Sequence, residues 1–291
     1  MTDRTTRAAG QVVWFPASGG IRLQGEVWGL PGDPPVLLAH GGGQSRLAWR
    51  ETAAGLAGAG WRAVAIDLRG HGGSDRAAEY TLTAFRDDIV AVARHLGRPV
   101  LVGASLGGQS SLLAEGETEG GLARALVLVD VAPTLEPEGI RRIMAFMERH
   151  LDGFGSIGEA VEAVIAYQPH RPARPEAAGL RRYLRDGADG RLYWHWDPAF
   201  FHQAKDHMAD VWSRATGAAR HVSIPTLLVR GTRSDVLGPA GVTELRRLIP
   251  QAEVRDIADA HHMVAGDEND LFTEAVLEFL DRLDRSVTSA G

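Results

Sequence analysis

Residues 100–113 read VLVGASLGGQSSLL, and few folds accept such a stretch. Val100, Leu101 and Val102 form an apolar, mostly β-branched run with no polar alternate, the pattern of a strand buried on both faces. The run leads straight into Gly103-Ala104-Ser105-Leu106-Gly107, and a helical pattern follows at once. A strand that becomes a helix within so few residues needs a tight corner. Glycines at 103 and 107 remove the Cβ atoms that would collide with neighbouring elements, and the central serine is forced into a strained backbone conformation. The corner lifts the Ser105 hydroxyl above the sheet. It also puts the next N–H, that of Leu106, at a helix N-terminus, where developing negative charge is favoured. One segment therefore calls for a parallel sheet flanked by helices and presents a candidate nucleophile.

The rest of the chain repeats that rhythm. Short apolar runs at Val12–Phe15, Ile21–Trp28, Val36–Ala39, Arg62–Ile66, Pro99–Val102, Ala125–Val129, Thr226–Arg230 and Glu253–Ile257 read as strands, the first two as an antiparallel hairpin around Ser18-Gly19-Gly20. Amphipathic patterns at Arg46–Ala59, Thr83–Leu96, Gly107–Glu115, Val242–Leu248 and Asp270–Leu283 read as helices, with Thr81 or Thr83 capping the second. Between Val131 and Ser223 the strand rhythm stops. Helical patterns fill that stretch (Pro137–His150, Ile157–Tyr167, Glu176–Arg185, Phe201–Ala215), joined by a Pro/Arg-rich connector, His170–Pro175. The expected organisation is an α/β core of residues 1–131 and 224–291, interrupted by a helical insertion of residues 132–223.

Composition narrows the chemistry. The chain has no cysteine, which excludes disulfides, a thiolate nucleophile and cysteine-bound metals. A net charge of -6 with no basic face argues against a nucleic-acid partner. The N-terminal MTDRTTRAAGQ is polar and lacks the apolar core of a signal peptide, and no apolar run is long enough to span a membrane. A soluble cytoplasmic protein is expected, acting on a small molecule without metal or organic cofactor, its oligomeric state open. His202 and His207 are badly spaced to share a metal on one helical face, and Asp186-Gly187-Ala188-Asp189-Gly190 lacks the ligand series of a calcium loop and reads as a turn.

With its strand, its helix and two further motifs, the chain resembles the α/β-hydrolase family over essentially its whole length. Val36-Leu37-Leu38-Ala39-His40-Gly41-Gly42 is similar to the family's strand followed by His-Gly. That resemblance implies that the N–H of Gly42 joins that of Leu106 in an oxyanion hole, with His40 bracing the loop. Asp67-Leu68-Arg69-Gly70-His71-Gly72-Gly73-Ser74 resembles the family's D-x-R-G-x-G-x-S turn, a structural element, and makes His71 a turn residue. The implied fold is a mostly parallel eight-stranded sheet flanked by helices, with a helical cap inserted after strand six.

A serine alcohol needs a base, and the base an orienting carboxylate. The family's chain order is Ser, acid, His, so the base comes from the C-terminal part, where only His261 and His262 follow the last strand. Relatives carry an acid five residues and an apolar residue ten residues after the histidine; from His262 these fall on Asp267 and Phe272, while from His261 the acid is lost. His262 is the expected base and His261 is expected to face solvent. Two residues compete for the acid. Asp235 follows the strand Thr226–Arg230, in a loop one residue longer than the commoner G-x-x-D, and is the first choice; Asp130, directly after Ala125–Val129, is the alternative.

In this family a helical insertion forms a lid, and here it is rich in large apolar side chains, of which Met147, Trp194 and Trp196 are the expected substrate contacts. The resemblance implies a serine hydrolase cleaving an ester or lactone of a small to medium, largely apolar substrate. Cofactor-free haloperoxidases, perhydrolases, C–C hydrolases and lyases of the same fold are alternatives, and a non-catalytic ligand receptor is a further one.

Overall fold

In the computed structural model, which describes residues 10–169, 175–206, 208–262 and 269–288, the strand runs join into one sheet of eight strands. These are β1 (Gln11–Pro16), β2 (Arg22–Trp28), β3 (Pro35–Ala39), β4 (Arg62–Ile66), β5 (Val100–Ala104), β6 (Ala125–Val129), β9 (Thr226–Gly231) and β10 (Glu253–Ile257). Their order is β1-β2-β4-β3-β5-β6-β9-β10. The two pairs made by β2, with β1 and β4, are antiparallel, and the rest are parallel. The inner parallel strands β3, β4, β5, β6 and β9 are buried on both faces, and their side chains alternate between two apolar layers, while the edge strand β10 is largely exposed. Leu37, Leu101, Leu126 and Leu128 face α2 (Leu82–Leu96), α3 (Leu106–Gly116), α8 (Met208–Ala219) and α9 (Pro239–Leu248). Val36, Val102, Val127 and Val229 face α1 (Arg50–Gly58) and α10 (Asn269–Thr288).

The caps follow the sequence. Thr81 accepts from the N–H of Ala84 at the start of α2, and Gly97 ends that helix in the left-handed conformation at φ 75°.

Between β6 and β9 the chain forms α4 (Pro137–Arg149), α5 (Ile157–Tyr167), α6 (Ala177–Arg181), a two-stranded hairpin of β7 (Leu184–Asp186) and β8 (Leu192–Trp194), α7 (Pro198–Asp206) and α8. Two helices expected here differ in the structure. The pattern Glu176–Arg185 shortens to α6 because Asp186–Gly190 is a hairpin turn, closed by Gly187 N–H to Arg191 O at 2.8 Å and by Gly190 at φ 79°. The pattern Phe201–Ala215 is covered by α7 and α8, which start earlier, at Pro198, and run on to Ala219, with His207 between them outside the described residues. The last of these helices does not stand off the sheet. Ala215, Ala218 and Ala219 of α8 are buried in the core layer, and α8 lies so close to α3 that a Cβ on Gly116 would come within 2.2 Å of the Ala218 carbonyl oxygen. The N-terminal segment 1–9, most of the Pro/Arg connector (170–174), His207 and Asp267 lie outside the described residues. Among the described residues no helix is long and apolar enough to cross a membrane.

Candidate active site

The corner after β5 has the geometry its glycines call for. Ser105 sits between β5 and α3 at φ 45° and ψ −113°, outside the regions that L-residues favour. A Cβ on Gly103 would lie 2.5 Å from the Gly107 carbonyl oxygen, and one on Gly107 would lie 2.4 Å from that of Ala39. The close approach is locked by the Gly107 N–H donating to His40 O at 3.1 Å, which joins the corner to the end of β3.

Strand register decides what lies beside Ser105. Ala104 of β5 pairs with Val129 of β6, so Ser105 and Asp130 leave the ends of adjacent parallel strands side by side. Asp130 is fully buried at φ 49° and donates its N–H to Val229 O at 2.8 Å. Its carboxylate accepts from three donors: Gly231 N–H at 3.3 Å, the Ser234 hydroxyl, and Nδ1 of His262 at 2.7 Å. A buried carboxylate needs such partners, since leaving its oxygens unsatisfied is costly. The imidazole on this carboxylate is that of His262; His261 is partly exposed.

Asp235, the first choice for the acid, does not meet the imidazole. After β9 the chain folds back at once, with Ser234 N–H to Gly231 O at 3.1 Å and Arg233 N–H to Ala260 O at 2.9 Å. That turn brings Ser234 onto the Asp130 carboxylate, and the Ser234 oxygen accepts in turn from the N–H groups of Val236 and Leu237, both at 3.1 Å. Asp235 then points to α4, where it forms an ion pair with Arg142. Ser234 is the residue that lengthens the G-x-x-D loop, and it fills the place where a shorter loop would put an aspartate. The pairing expectation is corrected accordingly: His262 is held by Asp130, and Asp235 ties α4 to the core.

The loop after β3 supplies the opposite wall. The Gly41 carbonyl accepts from His40 Nδ1–H at 2.8 Å and from Gln44 N–H at 3.1 Å. Because the next peptide is trans, the Gly42 N–H points away from those two donors. Gln44 Oε1 accepts the Gly41 N–H at 2.9 Å. A Cβ on Gly41 would lie 3.3 Å from Cβ of Ser105, so the loop passes directly over the serine. Among the described residues the N–H groups of Gly42 and Leu106 have no hydrogen-bond acceptor. Two unused donors beside a serine on a strained corner, with His262 held on the buried Asp130 carboxylate next to them, form an arrangement suited to nucleophilic attack on a carbonyl.

The Asp67–Ser74 turn is a scaffold. Buried Asp67 accepts from Gly73 N–H at 2.9 Å and pairs with the Arg46 guanidinium. Arg69 grips Asp88 through two hydrogen bonds, of 2.7 and 2.8 Å. Burial lowers His40 well below the usual imidazole range, helped by the neighbouring His71, and lowers His71 to about 4.

Of the expected substrate contacts, Met147 and Trp196 pack against the loop after β3: a Cβ on Gly43 would lie 3.5 Å from Met147 Cε and 3.8 Å from Trp196 Nε1. Trp194 stacks edge-on with Phe154 at 5.3 Å and packs both against a small cluster of the inserted segment and against the main core. Phe200, which the sequence reading did not single out as a contact, lies 3.2 Å from a Cβ placed on Gly42. Among the described residues no group of three or more His, Asp and Glu side chains is arranged to hold a metal ion.

The family model described as the alpha/beta hydrolase family matches residues 36–275. The chain belongs to the alpha/beta hydrolase family. A 2-(acetamidomethylene)succinate hydrolase of Mesorhizobium japonicum is 30% identical over 224 residues, covering 75% of this chain and 78% of that protein. An sn-1-specific diacylglycerol lipase of Mus musculus is 28% identical over 270 residues, covering 86% of this chain and 83% of the relative. The crystal structure of an E-2-(acetamidomethylene)succinate hydrolase superposes with a TM-score of 0.81 at 26% identity, covering 94% of this chain and 99% of that one. These relatives support a hydrolase.

Proposed function

We propose that the protein is a serine hydrolase that cleaves the acyl bond of a small to medium, largely apolar ester through an acyl-enzyme. Ser105 attacks the carbonyl carbon while His262 takes its proton, and Asp130 holds the imidazole with Nδ1–H toward its own carboxylate, leaving Nε2 for the serine. The tetrahedral oxyanion is received by the N–H groups of Gly42 and Leu106, each worth on the order of 3 kcal/mol of transition-state stabilisation. His262 returns the proton to the leaving alcohol, and water, activated by the same histidine, releases the acid. The inserted segment acts as a cap, with Met147, Trp196 and Phe200 closing the acyl side over the oxyanion hole.

The observation that carries this reading is the 2.7 Å contact between His262 Nδ1 and a carboxylate that leaves its strand beside Ser105. The apolar side chains over Gly42 and Gly43 favour an uncharged acyl group. The reading is tested by fluorophosphonate labelling with peptide mapping, together with turnover of 4-nitrophenyl esters. Label on Ser105 and loss of both signals in Ser105→Ala are expected; active protein that resists the label would overturn the acyl-enzyme.

A further inference from the structure

We infer that His71 and His195 are positioning residues that fix the oxyanion loop and couple it to the inserted segment; the inference rests on the oxyanion-hole reading above. The Gly43 N–H donates to Nε2 of His71 at 3.1 Å, and Nδ1 of the same ring lies 2.9 Å from the Arg69 carbonyl oxygen. A ring that accepts at Nε2 and meets a carbonyl at Nδ1 is neutral, with its proton on Nδ1. His40 already sets the peptide plane that carries the Gly42 N–H. His71 sets the next plane, since drawing the Gly43 N–H toward the ring turns the Gly42 carbonyl the other way. Gly43 itself is at φ 79°, so the loop has no side chain of its own there to hold it in place.

The support behind His71 is rigid. Arg69, which supplies the carbonyl, is buried and bound to Asp88, to Ser18 and to the Glu79 carbonyl. One residue further on, the Gly72 N–H donates to Nδ1 of His195 at 2.7 Å. His195 follows β8 of the inserted hairpin and donates its own N–H to the Tyr183 carbonyl at 3.1 Å. Its Nε2 has no hydrogen-bond partner among the described residues, so the ring is held by the Gly72 bond and by packing against His71 and Tyr183. The neighbouring Asp197 repeats the attachment, taking the Tyr80 hydroxyl at 2.8 Å and donating its N–H to Gly70 O at 2.7 Å. Phe200 closes the unit, edge-on to His71 at 4.7 Å and against Gly42.

The Gly42–Gly43 stretch is thus gripped from beneath by His71 and covered by side chains of the inserted segment, whose register on the Gly70–Gly72 turn is set by His195 and Asp197. Burial holds His71 at about 4 and His195 at about 3, so both stay neutral acceptors at neutral pH. A residue of the inserted segment that touches no reacting atom thereby affects the chemical step.

The test measures kcat and KM for 4-nitrophenyl butyrate, with kcat expressed per fluorophosphonate-labelled Ser105, in the full chain. His71→Leu is expected to lower kcat about 10- to 100-fold with KM within roughly threefold, and His71→Gln, which restores an acceptor near Nε2, to recover most of it. His195→Leu is expected to lower kcat about 3- to 10-fold, and His195→Asn, which restores an acceptor near Nδ1, to recover it. Affinity for a boronic acid, which mimics the oxyanion, should fall in parallel with kcat. If His71→Leu does not fold, the two His195 variants decide. Leucine variants within roughly twofold of the wild-type kcat per labelled serine overturn the inference while leaving the hydrolase reading intact. A wild-type protein without Ser105-dependent turnover overturns both.

Discussion

Asp130 Oδ2 lies 2.7 Å from His262 Nδ1, across 132 residues of chain, at the ends of two elements that the sheet brings together. The contact joins the first residue past β6 to the loop that follows β10. Because β5 and β6 run parallel and in register, this buried carboxylate is delivered next to Ser105 without any long side chain having to reach for it. The position is secured by the same turn that carries Asp235 away to Arg142.

The two adjacent histidines differ in what they touch, and their variants should differ as sharply. His262→Ala is expected to lower kcat by roughly 10³- to 10⁶-fold, because the proposed mechanism gives the serine proton to this imidazole. His261→Ala should change kcat by less than about tenfold. Steady-state kinetics on a 4-nitrophenyl ester compares the two, and a reversed order would assign the base to His261.

Ser234 donates to the carboxylate that holds His262, and it also receives two backbone N–H groups of the following turn. Ser234→Ala therefore removes one hydrogen bond from a buried charge and loosens the turn. A loss of about 1–3 kcal/mol in stability is expected, with kcat reduced by roughly 3- to 30-fold. Urea denaturation and kinetics on the same preparation check both; an unchanged denaturation midpoint would show that the serine does not support Asp130.

The buried imidazoles predict a loss of stability in mild acid. His71 titrates near 6.5 when unfolded and is held at about 4 in the fold, chiefly by burial. Between those values the unfolded chain binds a proton that the folded chain refuses. Stability therefore rises with pH across this window, falls as the pH drops from about 6.5 to about 4, and loses nothing more from this group below that. The cost is on the order of 3 kcal/mol for His71, and His40 and His195 act in the same direction. Urea midpoints at several pH values should show the slope, and His71→Gln should flatten it. An equal slope in that variant would place the acid sensitivity elsewhere.

Met147 and Trp196 press on Gly43 from the inserted segment. Met147→Ala should open room on the acyl side, shifting the preferred 4-nitrophenyl ester toward longer acyl chains, with an effect of about 1–3 kcal/mol in relative kcat/KM. A chain-length profile unchanged by the substitution would remove Met147 from the acyl pocket.

The inner sheet was legible in the sequence because its strands are buried on both faces: the runs Arg62–Ile66 and Ala125–Val129 have the bounds that their apolar pattern marks. The corner at Ser105 was legible for a steric reason, since only glycine fits the contacts at 103 and 107. The β7–β8 hairpin was not, because three-residue strands that are only partly buried carry too little alternation to register. The partner of His262 was harder still. Asp130 and Asp235 both follow strands on the same side of the sheet, and a one-residue difference in the turn after Gly231 decides which of them reaches the imidazole. The extra residue was visible in the sequence, and its consequence, a serine hydroxyl where a carboxylate would otherwise sit, needed the backbone path.

The central claim is that Asp130 orients the base, and the most direct measurement is kcat for Asp130→Asn beside Asp235→Asn under one set of conditions. The account predicts a fall of roughly 10³- to 10⁴-fold for Asp130→Asn, as the imidazole loses its tautomer and its counter-charge, and a change within about threefold for Asp235→Asn. A large loss in Asp235→Asn with near-normal turnover in Asp130→Asn would contradict it.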